Sequence, residues 1–192
     1  MIRLFAALPV PYEIGEALTR RQQGLPRARW RSTDDFHITL RFFGEVQETL
    51  AADLDSALAA ISASPFEVHL EGVGSFGEGA QVTSVHALAA PSEPLTRLAA
   101  RCETAARKVG LKPNTRSYKP HVTLAYLKGT PPERVAAWIQ GHNLLKSPSW
   151  RADRFGLYSS WLSEDGSRYE LEREYRFSDA APSTDHRRTS RP

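Results

Sequence analysis

The sequence predicts a mixed chain of strands and helices built as two similar halves, and three observations carry that prediction. A tetrapeptide, His37-Ile38-Thr39-Leu40, returns in kind as His121-Val122-Thr123-Leu124. Apolar residues around each copy switch between the period of two expected of half-buried strands and the wider period expected of helices. The motif also holds the same place in both halves, third in the order strand, helix, motif strand, helix, strand, which points to an internal repeat.

In chain order, Ile2 to Pro9 is an apolar run too short to span a bilayer and without the layout of a signal peptide, so it reads as a buried first strand. Tyr12 to Gln23 carries Ile14 and Leu18 at helical spacing with charges between them, a surface helix. Gly24-Leu25-Pro26 breaks it, and the first motif strand then runs from His37 to Phe43 and stops at Gly44. Thr49 to Ile61 is an Ala/Leu-rich helix, and Pro65 to Leu70 alternates as a strand. Glycines 72, 74, 77 and 79 mark a turn-rich joint near 71–81, where the order restarts with a strand from Val82 to Leu88.

Ser92 is placed to cap a helix that carries Leu95, Leu98, Cys102, Ala106 and Val109 on one stripe and ends at Gly110. The second motif strand extends to about Leu127. Thr130-Pro131-Pro132-Glu133 has the pattern of a capping box with proline at the first helical position. Trp150 to Trp161 and Tyr169 to Phe177 are strands, with Asp165-Gly166 as the hairpin turn between them. One bilobal domain over 1–177 is therefore expected, followed by a patternless, disordered tail over 178–192.

Composition narrows the function classes. The 192 residues are 41% hydrophobic and 24% charged, an ordinary soluble balance with enough length for a real core. A net charge of +3 biases the protein only mildly toward anions and does not make a DNA-binding protein. The lone cysteine, Cys102, excludes an intramolecular disulfide and a cysteine-based metal cluster, and suits a reducing cytoplasm. On the stripe of a helix it reads as core rather than nucleophile.

In each motif strand, histidine and threonine share one face while the aliphatic residues share the other. Histidine titrates near neutrality, so two imidazoles facing each other could serve an attacking water and a leaving oxygen on opposite sides of one phosphorus. The threonine hydroxyls would hold the non-bridging oxygens where charge develops. Arg41 shares the parity of His37 and Thr39, so its guanidinium either reaches the cleft or ends the strand at the surface. Tyr118 and Phe43 are aromatic candidates for stacking on a base, with a core role favoured for Phe43. Among the other histidines, His69 is read as solvated, His142 and His186 as loop and tail residues, and His86 as the one to watch.

These residues resemble the 2H phosphoesterase superfamily. The resemblance rests on the two His-x-Thr motifs, the opening Arg3-Leu4-Phe5-Ala6-Ala7-Leu8, the run Arg41-Phe42-Phe43-Gly44-Glu45 and Lys119-Pro120 before the second motif. It is strongest to the bacterial and archaeal RNA 2′,3′-cyclic phosphodiesterases, also called 2′-5′ RNA ligases, over roughly Ile2 to Phe177. The resemblance implies a bilobal α+β fold, with two lobes of antiparallel sheet, helices outside and a central cleft. It further implies opening of RNA 2′,3′-cyclic phosphate ends, or cyclic nucleotides, to 2′-phosphates by a monomer without metal or cofactor. Some members also show a reversible 2′-5′ ligation. His37 and His121 become the acid/base pair, with His121 as base on water and His37 as acid on the leaving 3′ oxygen. Thr39 and Thr123 bind phosphate, with Arg41 and Lys119 as further phosphate candidates and Tyr118 as the base-stacking candidate.

Two departures from the family stand out. Many relatives carry an aromatic in the strand that here reads Thr83-Ser84-Val85-His86, and the position of Lys119 is often arginine, whose bidentate fork lysine lacks. Two alternatives remain open. A metal-dependent phosphodiesterase would draw on His37, His121, Asp34 and Asp35, and a non-catalytic RNA-end-binding module would need only cations and stacking aromatics.

Overall fold

A computed structural model of the chain describes residues 1–163 and 166–178. The elements are β1 (Ile2–Pro9), α1 (Tyr12–Thr19), β2 (Ala28–Trp30), β3 (His37–Val46), α2 (Glu48–Ala59), β4 (Phe66–Val68) and β5 (Leu70–Phe76). They continue as β6 (Ser84–Ala89), α3 (Glu93–Lys108), β7 (His121–Leu127), α4 (Pro132–His142), β8 (Trp150–Ala152), β9 (Arg154–Ser163) and β10 (Gly166–Arg176). An antiparallel sheet runs in the order β10-β9-β1-β3-β7-β6-β5, with β2 also on β7 and with β4 and β8 forming a separate ribbon. No described helix is long and apolar enough to cross a membrane.

The motif strands lie side by side at the middle of this α+β fold, where β3 meets β7 at the pair Ile38–Val122. Their period-two pattern does what alternation demands. Ile38, Leu40, Val122 and Leu124 go into the core, while His37, Thr39, His121 and Thr123 stay half-buried on the opposite face. Below the sheet, Leu95, Leu98, Cys102 and Ala106 form the buried stripe of α3, and α2 packs beside it with Leu54 and Leu58. Each such leucine contributes about 1.5–3 kcal/mol on burial. Burial also pushes the Cys102 thiol up to about 12, which leaves it an inert core group. Ser92 caps α3 as expected, its hydroxyl accepting from the Leu95 amide at 3.4 Å.

Several expectations are corrected. Helix α1 stops at Thr19 rather than Gln23: the Arg21 and Gln22 backbone amides donate only three residues back, to the Leu18 and Thr19 carbonyls, and the Gln22 side-chain amide donates to the Arg31 and Leu124 carbonyls. The expected strand over Pro65–Leu70 divides at His69, with Phe66–Val68 pairing with β8 and Leu70 starting β5. Gly72 and Gly74 belong to β5 rather than to a joint. The turn itself falls at Gly77, where φ is +88° and an added Cβ would stand 2.1 Å from the Gln81 carbonyl oxygen. At α4 no capping box forms: Thr130 is buried, and its hydroxyl donates to the Pro26 carbonyl at 2.8 Å instead of serving the helix. Strands β9 and β10 pair from Gly166–Ser163 onward, as the hairpin reading requires, whereas Asp165 lies outside the described residues. So do residues 179–192, which include His186 and nearly all of the expected tail.

Candidate active site

His37, Thr39, His121 and Thr123 border a single cavity of about 410 Å³ on the solvent-facing side of the sheet. Continuing the Ile38–Val122 register by one residue sets His37 beside Thr123 and Thr39 beside His121. Each imidazole is thus next to the hydroxyl of the other motif.

Both rings are held in the same way. Nδ1 of His37 lies 2.7 Å from the Asp35 carbonyl oxygen, and Nδ1 of His121 lies 2.6 Å from that of Lys119. A carbonyl oxygen only accepts, so each Nδ1 carries the hydrogen and Nε2 is the nitrogen left for proton transfer. Burial favours the neutral form of both. Burial takes His37 down to about 4, and the Arg31 guanidinium and the charge of His121 push the same way against the Asp35 carbonyl and carboxylate. Burial also lowers His121, opposed by its bond to Lys119. Aromatic rings pack on both, with Phe5 at 4.9 Å and Tyr169 edge-on at 5.1 Å from His37, and Phe76 edge-on at 4.8 Å from His121.

His86 lies on β6, and its ring packs as an aromatic would. Its ring is 3% exposed, 4.4 Å from Phe76 and 4.9 Å from His121, in space that Gly74 leaves open on the next strand. Burial first, then His121 and Lys119, lower it to about 4, so it is neutral at ordinary pH. It backs His121 and does not border the cavity that both motifs share.

The cations differ from expectation. Arg41 does not border the cavity shared by the two motifs, but it lines an adjoining one of about 720 Å³ together with Thr39 and His121. Pairing β1 with β3 runs Ala7–Thr39, then Ala6–Arg41, so Leu40 is a bulge that reverses parity beyond it. Arg41 therefore turns to the reverse face, where Nε donates to Glu103 at 2.5 Å, Nη2 to the Lys112 carbonyl at 2.7 Å and Nη1 to the Phe42 carbonyl. Phe42 takes the cleft side, opposite Phe5 and 48% exposed. Tyr118, in contrast, packs against the core with its hydroxyl buried and unpartnered among the described residues. Tyr118 nevertheless lines the same adjoining cavity, with Lys119 exposed on its rim, and that cavity shares Thr39, Phe42, Arg116 and His121 with the first. Phe43 is core, as favoured. His69 is half-buried beside Glu71, and His142 ends α4 rather than sitting in a loop.

Arg31, Arg116, Phe42 and Tyr169 border the motif cavity and were not singled out from the sequence. A signal for the two arginines was present, because Arg31 stands six residues before His37 and Arg116 five before His121. Asp35, a candidate ligand in a metal-dependent reading, is engaged by Arg31 at 3.1 Å and by the Ser32 hydroxyl at 2.8 Å. Among the described residues, no three His, Cys, Asp or Glu side chains are grouped so as to hold a metal ion.

Against known proteins, residues 10–161 match the profile of the 2'-5' RNA ligase superfamily, which is most of the chain. The chain belongs to that superfamily. A superfamily relative from Archaeoglobus fulgidus, named RNA 2',3'-cyclic phosphodiesterase, is 28% identical over 172 residues, covering 88% of this chain and 97% of its own length. A protein of the same name from Aeropyrum pernix is 36% identical over 97 residues, which is 50% of this chain and 55% of the relative. Among solved structures, one from Thermus thermophilus superposes with a TM-score of 0.79 at 24% identity, covering 94% of this chain and all of the other. That likeness establishes the α+β superfamily fold.

Proposed function

We propose that the protein hydrolyses 2′,3′-cyclic phosphates at RNA ends, or in cyclic nucleotides, to 2′-phosphates. The observation that carries this reading is the pair of imidazoles, each with Nδ1 tied to a backbone carbonyl, on one cavity with two threonine hydroxyls. Curated relatives named RNA 2',3'-cyclic phosphodiesterase support it. In this reading His121 takes a proton from water as the water attacks phosphorus, and His37 gives a proton to the departing O3′. The Thr39 and Thr123 hydroxyls, with Arg116 and Lys119 at the rim, hold the non-bridging oxygens. His37 is the more strongly depressed histidine and hence the stronger acid once an anionic phosphate has charged it, while His121 is the better base. Replacing the water by the 5′-hydroxyl of a second RNA gives a 2′-5′ linkage with the same groups. The protein acts as a monomer without a cofactor in the cytoplasm, where its single thiol stays reduced.

The deciding experiment is incubation with a 2′,3′-cyclic nucleotide and identification of the product. A 2′-monophosphate is expected, and recovery of unchanged substrate would favour the non-catalytic RNA-end-binding module. Turnover should also persist in excess chelator, since the proton-transfer groups are side chains. Activity lost in chelator and restored by one divalent ion would instead support the metal-dependent reading.

The pH dependence follows from the signs of the shifts. One histidine must be neutral and the other charged, so kcat/KM should be bell-shaped, and because burial lowers both groups its maximum should lie below pH 6.5 with the acid limb near 4. Bound phosphate brings negative charge that raises both, so the kcat bell should sit at higher pH than that of kcat/KM. A kcat/KM optimum at alkaline pH would contradict the assignment. Because His37 binds its proton less tightly folded than unfolded, stability should fall as pH drops below about 6.5.

A further inference from the structure

Arg31 is 6% exposed, yet it borders the cavity that holds both motifs. A buried guanidinium is costly to keep unless it is paired and held, and this one has a carboxylate and two aromatic rings against it. Asp35 Oδ2 lies 3.1 Å from Nη2, and the guanidinium carbon stands 4.9 Å over the Tyr169 ring and 5.9 Å over Tyr126. Its backbone is fixed as well: the amide donates to the Leu124 carbonyl at 2.9 Å, and the carbonyl accepts from the Gln22 side chain at 2.6 Å. The short 3₁₀ turn over Thr33–Asp35 brings Arg31 and His37 back to the same cavity.

Asp35 holds both of them. Its carboxylate takes Arg31, and its main-chain carbonyl takes Nδ1 of His37. The other motif has a parallel arrangement, with the Lys119 carbonyl on Nδ1 of His121 and Arg116 bordering the cavity. A fixed cation in a partly dry cleft is most effective where negative charge grows on an oxygen, because nothing need reorganise as the reaction proceeds. We propose that Arg31 grips the phosphate on the His37 side of the cleft, as a counterpart to Arg116, and that Asp35 is the positioning residue that sets both Arg31 and His37. The proposal rests on the cyclic phosphodiesterase reading for the identity of the reacting anion, and on the geometry alone for the anion site.

The groups facing His37 are Arg31 and Asp35 from its own segment, Tyr158 and Tyr169 from β9 and β10, and His121 across the cleft. Of these, Arg31 is the permanent cation, so its removal should let His37 titrate at higher pH. A merely structural arginine, clamping the turn to Tyr169, would change thermal stability and leave phosphate binding alone.

The test uses the full chain with inorganic phosphate as the probe, comparing wild type with Arg31→Met and Arg31→Lys, and follows the His37 titration by NMR. Arg31→Met should weaken phosphate binding at least tenfold, move the His37 titration upward and lower kcat/KM on a 2′,3′-cyclic nucleotide by about 10²- to 10³-fold. Arg31→Lys should recover part of the binding and most of the His37 shift. In the wild type, the Arg31 Nε–H resonance should move on phosphate addition with the same saturation as His37, a readout that holds even where Arg31→Met does not fold. An unmoved Arg31 resonance, or folded Arg31→Met with wild-type phosphate affinity and an unmoved His37, overturns the proposal. Wild type that binds phosphate through Arg31 but leaves cyclic nucleotides intact would overturn the phosphodiesterase reading and uphold the anion site. Wild type that turns over normally alongside an unaffected Arg31→Met would do the reverse.

Discussion

His37→Ala and His121→Ala should each lower kcat/KM on a 2′,3′-cyclic nucleotide by about 10²- to 10⁴-fold, the usual range for a lost general acid or base. If the two act on opposite sides of one phosphorus in a single step, the double variant should lose much less than the product of the separate losses. Each altered side chain is half-buried on the cleft face rather than in the core, so circular dichroism should report intact folds. Thr39→Ala and Thr123→Ala should be milder, since a hydrogen bond to a charged acceptor is worth about 1.5–3 kcal/mol and other donors remain. The roles can be separated with a substrate whose O3′ is replaced by sulfur, a leaving group that needs no proton. That substrate should restore His37→Ala and not His121→Ala. Restoration of the His121 variant instead would exchange the roles, and near-wild-type turnover by either folded single variant would remove that histidine from the chemistry.

Arg41→Ala should act on the fold. Its guanidinium ties β3 to Glu103 on α3 and to the Lys112 carbonyl in the following loop, with the arginine side chain 10% and the glutamate 26% exposed. Removing one partner of a fully buried pair costs about 3–5 kcal/mol. Water reaches Glu103, so a loss of about 2 kcal/mol is expected, discounted for that exposure. In a domain of this size that corresponds to a fall in Tm of about 4–8 °C. Turnover by the folded protein should change by less than about tenfold. A collapse of kcat/KM with an unchanged melting temperature would return Arg41 to the phosphate.

What decides between the two readings of Arg41 also explains what was legible. His37, Thr39, His121 and Thr123 were readable because strand alternation is strictly local and holds from histidine to threonine in both motifs, the pairing slipping only at the fourth residue, Leu40 and Leu124. One residue beyond Thr39, the bulge at Leu40 exchanged the faces of Arg41 and Phe42, and a bulge leaves no mark in an apolar pattern. Tyr169 and Arg116 reach the cavity from segments far from the first motif, so only the folded sheet brings them there. The Ser92 cap could be read because its hydroxyl served the nearest helix amide, whereas Thr130 found a partner 104 residues away in Pro26. Gly72 and Gly74 suggested a turn because loops are the commonest use of clustered glycine. In β5 the chain instead uses the missing side chain of Gly74 to admit a ring from the neighbouring strand.

That last arrangement makes residues 74 and 86 share a single allotment of volume. A Cβ at position 74 would stand 2.9 Å from Nε2 of His86, and the displaced ring would press on His121, 4.9 Å away. Substitution at one position is therefore conditional on the other. Across homologous chains the two should covary in size, with bulk at 86 accompanied by glycine at 74 and a side chain at 74 tolerated only where 86 has shrunk. The joint volume would be inherited while neither residue need be. Gly74→Ala should impair turnover beside His86 and be relieved by a smaller residue at 86, and a set of active homologues with large side chains at both positions would refute the coupling.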